Sequence, residues 1–232
     1  MRRIESEALV VRTVELGEAD VIATLITREA GKLSVIARGA RKGSRRIGGA
    51  LEPMHTIAVL LEDKGQELLT LKESRIVRTR SAVVANLDAL DAAGVALRWA
   101  RHLFPPRTPE PEGWCILVGL LDALDRAESA PRKELARAGL ALLAAVGYAL
   151  DLSRCVVCGR ECPEGKPACI DPARGGLVCR SCGGAGTVLS PDVRRAANAI
   201  AQGLPCEPAP DDAEVLLRVV DRAMAAHAGF ER

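Results

Sequence analysis

Asp20-Val21-Ile22-Ala23-Thr24-Leu25-Ile26-Thr27 and Leu33-Ser34-Val35-Ile36-Ala37-Arg38 are two β-branched, aliphatic runs separated by Arg28-Glu29-Ala30-Gly31-Lys32. A polar loop with a glycine free to take positive φ, set between two such runs, predicts a β-hairpin. The pattern repeats outward in both directions. Ala8-Leu9-Val10-Val11-Arg12-Thr13-Val14 precedes it as another strand; Thr56-Ile57-Ala58-Val59-Leu60-Leu61 and Glu67 to Lys72 follow, joined by the turn Asp63-Lys64-Gly65-Gln66. Five short strands within about 70 residues suit a small closed barrel, which leaves no exposed sheet edge. Residues 1–98 contain no Phe, Trp or Tyr, so small aliphatic side chains must fill that barrel.

Near residue 81 the period changes from two to between three and four. Val83, Leu87, Leu90, Gly94 and Leu97 predict one amphipathic helix, stopped by Pro105-Pro106. Trp114 to Ala127 predicts a second. A third opens with Pro131, a residue tolerated in a first helical turn, and runs to about Tyr148. After the insert at 153–187, a fourth starts at Ser190-Pro191 and stops near Gly203 and Pro205. Asp211-Asp212-Ala213-Glu214 opens a last one, ending at Gly229. The expected organisation is α+β: a barrel domain over 1–80 and an all-helical domain over 81–232 carrying the insert.

That insert is rich in Cys, Gly and Pro. It contains Cys155-Val156-Val157-Cys158-Gly159 and Cys179-Arg180-Ser181-Cys182-Gly183. Two C-x2-C pairs at this separation have the spacing of a four-thiolate zinc site. Two intervening residues let both sulfurs face one ion, and a glycine after each second cysteine relaxes the backbone beneath it. Four protein thiolates leave no vacancy for water or substrate, so the implied Zn2+ is structural, one per chain. Cys162 and Cys169 leave the ligand set open by one substitution, although neither belongs to a paired knuckle. Cys115, in an apolar helix, reads as core, and Cys206 as a loop thiol. A redox dithiol would be expected as one C-x2-C near a βαβ unit, and none is visible.

Arg38-Gly39-Ala40-Arg41-Lys42-Gly43-Ser44-Arg45-Arg46 carries five positive charges and no negative one between two expected strands. Arg38, Arg41, Lys42, Arg45 and Arg46 are the candidate DNA-binding residues: neutralising several phosphates releases counterions and gives salt-sensitive, sequence-independent affinity. With no aromatic rings nearby, base stacking adds nothing there. The net charge of +2 is too small to identify a polyanion partner by itself. No P-loop motif occurs. His55, His102 and His227 lie in separate elements, and no nuclease-like carboxylate set is present, so no enzyme activity is expected. No export signal or run of ~20 apolar residues is visible, which points to a cytoplasmic protein with reduced thiols and no membrane contact.

Taken with their order and spacing, these pieces resemble the RecO family. The N-terminal part is Ala8-Leu9-Val10-Val11, Gly17-Glu18-Ala19-Asp20, Gly31-Lys32-Leu33-Ser34 and Ala37-Arg38-Gly39-Ala40-Arg41. The later part is Leu142-Leu143, Gly147-Tyr148, Cys155-x2-Cys158-Gly159 and Gly175-Gly176-Leu177-Val178-Cys179-x2-Cys182. The resemblance implies an oligonucleotide/oligosaccharide-binding (OB) type of barrel and a zinc-bearing helical domain. It implies binding of single- and double-stranded DNA, strand annealing, and DNA repair and recombination in association with the nucleoid. Implied partners are RecR, the C-terminal tail of the single-stranded DNA-binding protein and, indirectly, RecA. The groove for that tail is expected on apolar helix faces near residues 83–150. Two departures stand out: Met54 follows Pro53 where the family often has an aromatic, and Cys162 and Cys169 are extra cysteines. The rival reading is a zinc-ribbon scaffold of transcription or RNA metabolism.

Overall fold

The computed structural model describes residues 2–42, 47, 49–204, 206 and 208–227. The chain divides into two compact units, residues 1–126 and 127–232. The first holds five strands: β1 (Arg2–Leu16), β2 (Asp20–Thr27), β3 (Gly31–Ala37), β4 (Thr56–Asp63) and β5 (Leu68–Arg78). They close as a barrel in the order β1-β2-β3-β5-β4, antiparallel except for β3 against β5.

Closure depends on β1. Its first half, Arg2–Leu9, pairs with β4, and its second half, Ala8–Leu16, pairs with β2. A bulge between Val10 and Arg12 turns the strand from one neighbour to the other. This double duty is why β1 exceeds the expected run at 8–14: Arg2 to Glu7 are polar except for Ile4, which packs against the core, yet their backbone is needed by β4. The interior follows a period of two, as in Ala23/Leu25, Leu33/Val35/Ala37, Ile57/Val59/Leu61 and Leu69/Leu71. All these side chains are aliphatic and of modest size, as expected of a sequence without rings in this region.

Three helices complete the first unit: α1 (Ser81–Ala85), α2 (Leu87–Leu103) and α3 (Pro111–Arg126). The single helix expected from residue 81 is broken at Asn86, which takes extended backbone angles (φ −120°, ψ 117°) and caps α2 by accepting a hydrogen bond from the Ala89 amide at 3.0 Å. Leu87 is consequently exposed rather than part of an apolar stripe. The buried face of α2 is instead mostly alanine, with Leu97, Trp99 and Leu103.

The second unit holds α4 (Pro131–Ala145), α5 (Pro191–Ala201) and α6 (Pro210–His227), with α4 packed on both others. The insert between α4 and α5 is more ordered than its composition implies. It forms a four-stranded sheet in the order β6-β8-β7-β9, from β6 (Asp151–Cys155), β7 (Ala168–Asp171), β8 (Gly176–Leu177) and β9 (Thr187–Leu189). Strands of two to five residues fall below what hydrophobic periodicity detects. The expected helix stop at Pro205 and helix end at Gly229 lie outside the described residues. Among the described residues no helix is long and apolar enough to cross a membrane.

Candidate metal centre and basic loop

Cys155 is the last residue of β6, held by backbone pairing with β8, and Cys158 lies in the turn that follows. Cys179 leads into a 3-10 turn, Arg180–Cys182. The two glycines behave as the motif requires: Gly159 (φ +72°) and Gly183 (φ +101°) reverse the chain after each pair, in a region closed to most side chains. Hydrogen bonds from Gly159 N to Cys155 O (2.8 Å) and from Cys182 N to Cys179 O (2.9 Å) tighten both turns.

The result is four sulfurs, from Cys155, Cys158, Cys179 and Cys182, all within 4.8 Å of one another. The Cys158 and Cys179 Sγ atoms are 3.8 Å apart. Tetrahedral coordination at a Zn–S length of 2.3 Å puts sulfurs about 3.8 Å apart, so the donor set fits such an ion. A disulfide needs about 2.05 Å and does not fit that pair. Amide groups of Cys179 and Cys158 draw the Cys155 thiol down to about 6, while hydrogen bonding with Cys179 and Cys158 pushes Cys182 up to about 12. Four adjacent thiols cannot all ionise without a cation among them. Neither Cys162 nor Cys169 belongs to the cluster. Cys162 turns its sulfur toward the Arg160 carbonyl, at 4.0 Å. Cys115 is exposed, correcting its expected place in the core: α3 buries Gly113, Trp114, Leu117, Leu120, Leu121, Ala123 and Leu124, and Cys115 falls outside that stripe.

One residue that supports the knuckles escaped the sequence reading. Arg194 of α5 is buried, and its guanidinium donates to carbonyls on both sides of the first knuckle: Leu152 O (2.7 Å), Pro163 O (2.9 Å) and Cys162 O. Its position on the apolar face with Val193, Ala197 and Ile200 was the available signal. His227 likewise has a packing role beyond a helix-end charge. Its ring stacks on Tyr148 at 5.1 Å, and Nε2 lies 3.1 Å from Pro172 O.

The basic loop leaves the barrel at the end of β3. Arg38 and Lys42 are exposed. Gly39 N donates to Asp20 Oδ1 (2.8 Å), and Arg41 N donates to Ala19 O (3.0 Å). Arg41 is therefore not a free cation: its guanidinium donates to Gly17 O at 3.0 Å and pairs with Glu15 at 3.2 Å. Arg45 and Arg46 lie outside the described residues. Ile47 is buried in the barrel core, where the chain returns.

A closed five-stranded barrel with a basic loop, joined in one chain to helices and a four-thiol double knuckle, defines an α+β protein with a candidate metal centre. Its residues 1–80 match the family described as Recombination protein O N terminal, and residues 84–231 match Recombination protein O C terminal. The chain belongs to the RecO family. Similar relatives are the DNA repair protein RecO of Anaeromyxobacter sp. strain K, 40% identical over 184 residues (78% of this chain, 71% of the relative), and that of Myxococcus xanthus, 37% identical over 183 residues (79% and 74%). The DNA repair protein RecO of Geobacter sulfurreducens is 35% identical over 196 residues (84% and 79%).

Proposed function

We propose that this protein is a DNA repair and homologous recombination mediator that binds single- and double-stranded DNA, anneals complementary strands and, with RecR, helps load RecA onto strands coated by the single-stranded DNA-binding protein. The observation that carries this reading is the match of both halves of the chain to one family, with relatives named DNA repair proteins. In this reading residues 1–80 form an OB-type barrel that binds DNA. The strand order 1-2-3-5-4, with β3 parallel to β5 and β1 closing on β4, supports that assignment. Residues 81–232 form the helical domain, whose apolar helix faces near residues 83–150 receive the C-terminal tail of the single-stranded DNA-binding protein. Cys155, Cys158, Cys179 and Cys182 hold one structural Zn2+, and the protein works in the cytoplasm on the nucleoid.

No bond is made or broken in this mechanism. Two DNA strands repel each other. Cations at Arg38, Arg41, Lys42, Arg45 and Arg46 screen that repulsion and hold both strands, raising their effective concentration. Base pairing then supplies the downhill step. The test is annealing of complementary oligonucleotides coated with single-stranded DNA-binding protein. The wild-type chain accelerates it, and replacing Arg41, Lys42, Arg45 and Arg46 together by Ala slows it while leaving the fold intact. An unaccelerated wild-type reaction, with binding to RNA instead, would favour the scaffold reading.

A further inference from the structure

Beyond the basic loop, the first unit gathers a second set of cations. Arg98 and Arg101 lie one turn apart on α2, on the same side of the helix. α2 packs against β1, which contributes Arg12 immediately after the bulge. Bulges re-aim side chains, and here Val10 and Val11 are both buried while Arg12 is exposed. Lys32 adds a fourth positive charge, its ammonium donating to the Arg101 carbonyl.

Among the described residues, none of the three arginines has a hydrogen bond or ion pair to its guanidinium, and the Arg101 Nε is buried with no partner at all. The fold treats its buried arginines differently: Arg80 is paired with Asp122, Thr56 and Met54 O, and Arg194 with backbone carbonyls. Burial and the charges of Arg12 and Arg98 lower the Arg101 pKa from its ordinary value, and no carboxylate offsets them. Like charges held together and partly dried are unfavourable unless an anion joins them. Guanidinium forks match phosphate oxygens, often in paired hydrogen bonds.

We propose that Arg12, Arg98 and Arg101 form a second nucleic-acid site, distinct from the 38–46 loop, that grips neighbouring backbone phosphates of bound DNA. The inference rests on the DNA-binding reading above. A strand held at both places is fixed at two points on the first unit, whereas the loop alone would leave it free to swing.

Salt titration of oligo(dT) binding by the full chain tests this. Arg12 and Arg98 are exposed, so Arg12→Ala/Arg98→Ala keeps the fold. Losing two phosphate contacts lowers the slope of log K against log salt by about 1.4 for single strands. Affinity falls about tenfold at low salt, and the difference shrinks as salt rises. Arg12→Lys/Arg98→Lys restores the slope. A double alanine variant with wild-type affinity and slope, beside a 38–46 loop variant that loses both, overturns the second site alone. A wild-type chain that leaves oligo(dT) unbound at low salt overturns this site and the DNA-binding reading together.

Discussion

Arg80 is among the largest side chains that the fold removes completely from solvent. Its guanidinium makes two hydrogen bonds to Asp122 Oδ1 (2.9 and 2.7 Å), one to Thr56 Oγ1 (3.1 Å) and one to the Met54 carbonyl, while Arg78 reaches the other Asp122 oxygen. One side chain thus ties the start of β4 and the strand-to-helix corner to α3. Burial lowers the Arg80 pKa, and the hydrogen bonds and charge of Asp122 work against that shift. Arg80→Met leaves Asp122 and the Met54 carbonyl without this partner. It should lower unfolding free energy by about 3–5 kcal/mol in urea titration, whereas replacing Arg80 and Asp122 together by apolar residues should cost much less. An equal loss from the double variant would show that packing, not pairing, dominates. The sequence around Arg80 does not mark it as buried, because its partner lies 42 residues away. Arg194 was more legible, since it interrupts the apolar face of α5. The unpaired arginines of α2 and β1 were not, because only folding brings them together.

The β2–β3 turn shows how an element can have a second duty. Thr27 Oγ1 accepts from Ala30 N and donates to Gly31 O, both at 3.0 Å, and Gly31 takes φ +71°. The α2–α3 connection passes directly over it, with Arg107 N donating to Lys32 O at 3.0 Å. A Cβ on Gly31 would lie 2.1 Å from Thr108 O. Gly31→Ala therefore combines a strained backbone with a clash against main chain. It should destabilise the protein by roughly 3 kcal/mol in thermal or chemical denaturation, while a normal melting temperature would mean that the 106–108 segment yields easily. The turn itself was legible from the sequence, because it is local chemistry; the crossing was not. The same divide runs through the other elements. β2 has the expected bounds, since Asp20 to Thr27 is one uninterrupted β-forming run. The α1–α2 break was missed because Leu87 fits an apolar stripe by spacing, although the Asn86 cap sets it out in solvent. The knuckles were legible because four cysteines with two glycines fix their own geometry. The short strands around them were not, because they exist only through pairing with one another.

At the scale of the whole chain, the two units differ in what holds them. Among the described residues, the barrel core draws on fourteen buried aliphatic side chains between Ala8 and Leu71, a contiguous interior independent of any ion. The insert sheet has strands of at most five residues, and its buried apolar side chains are few: Leu152, Ile170, Leu177, Val178 and Leu189. So small a core does not repay the conformational entropy of ordering about 40 residues. An ion on four thiolates adds on the order of 10–16 kcal/mol in comparable peptides. Chelator treatment of the full chain should therefore remove hydrogen-exchange protection from residues 151–189 and leave it at Ala23, Leu25, Ile57 and Leu61 of the barrel. Ion uptake must also displace protons from thiols, with Cys182 held near 12 and Cys155 near 6 before loading. Apparent metal affinity should consequently rise with pH, and protons should appear as the ion binds. Cys155→Ser and Cys182→Ser should each reproduce the chelated exchange pattern. Unchanged protection at 151–189 after complete ion removal would mean that the short strands and the Arg194 hydrogen bonds suffice to hold the knuckles.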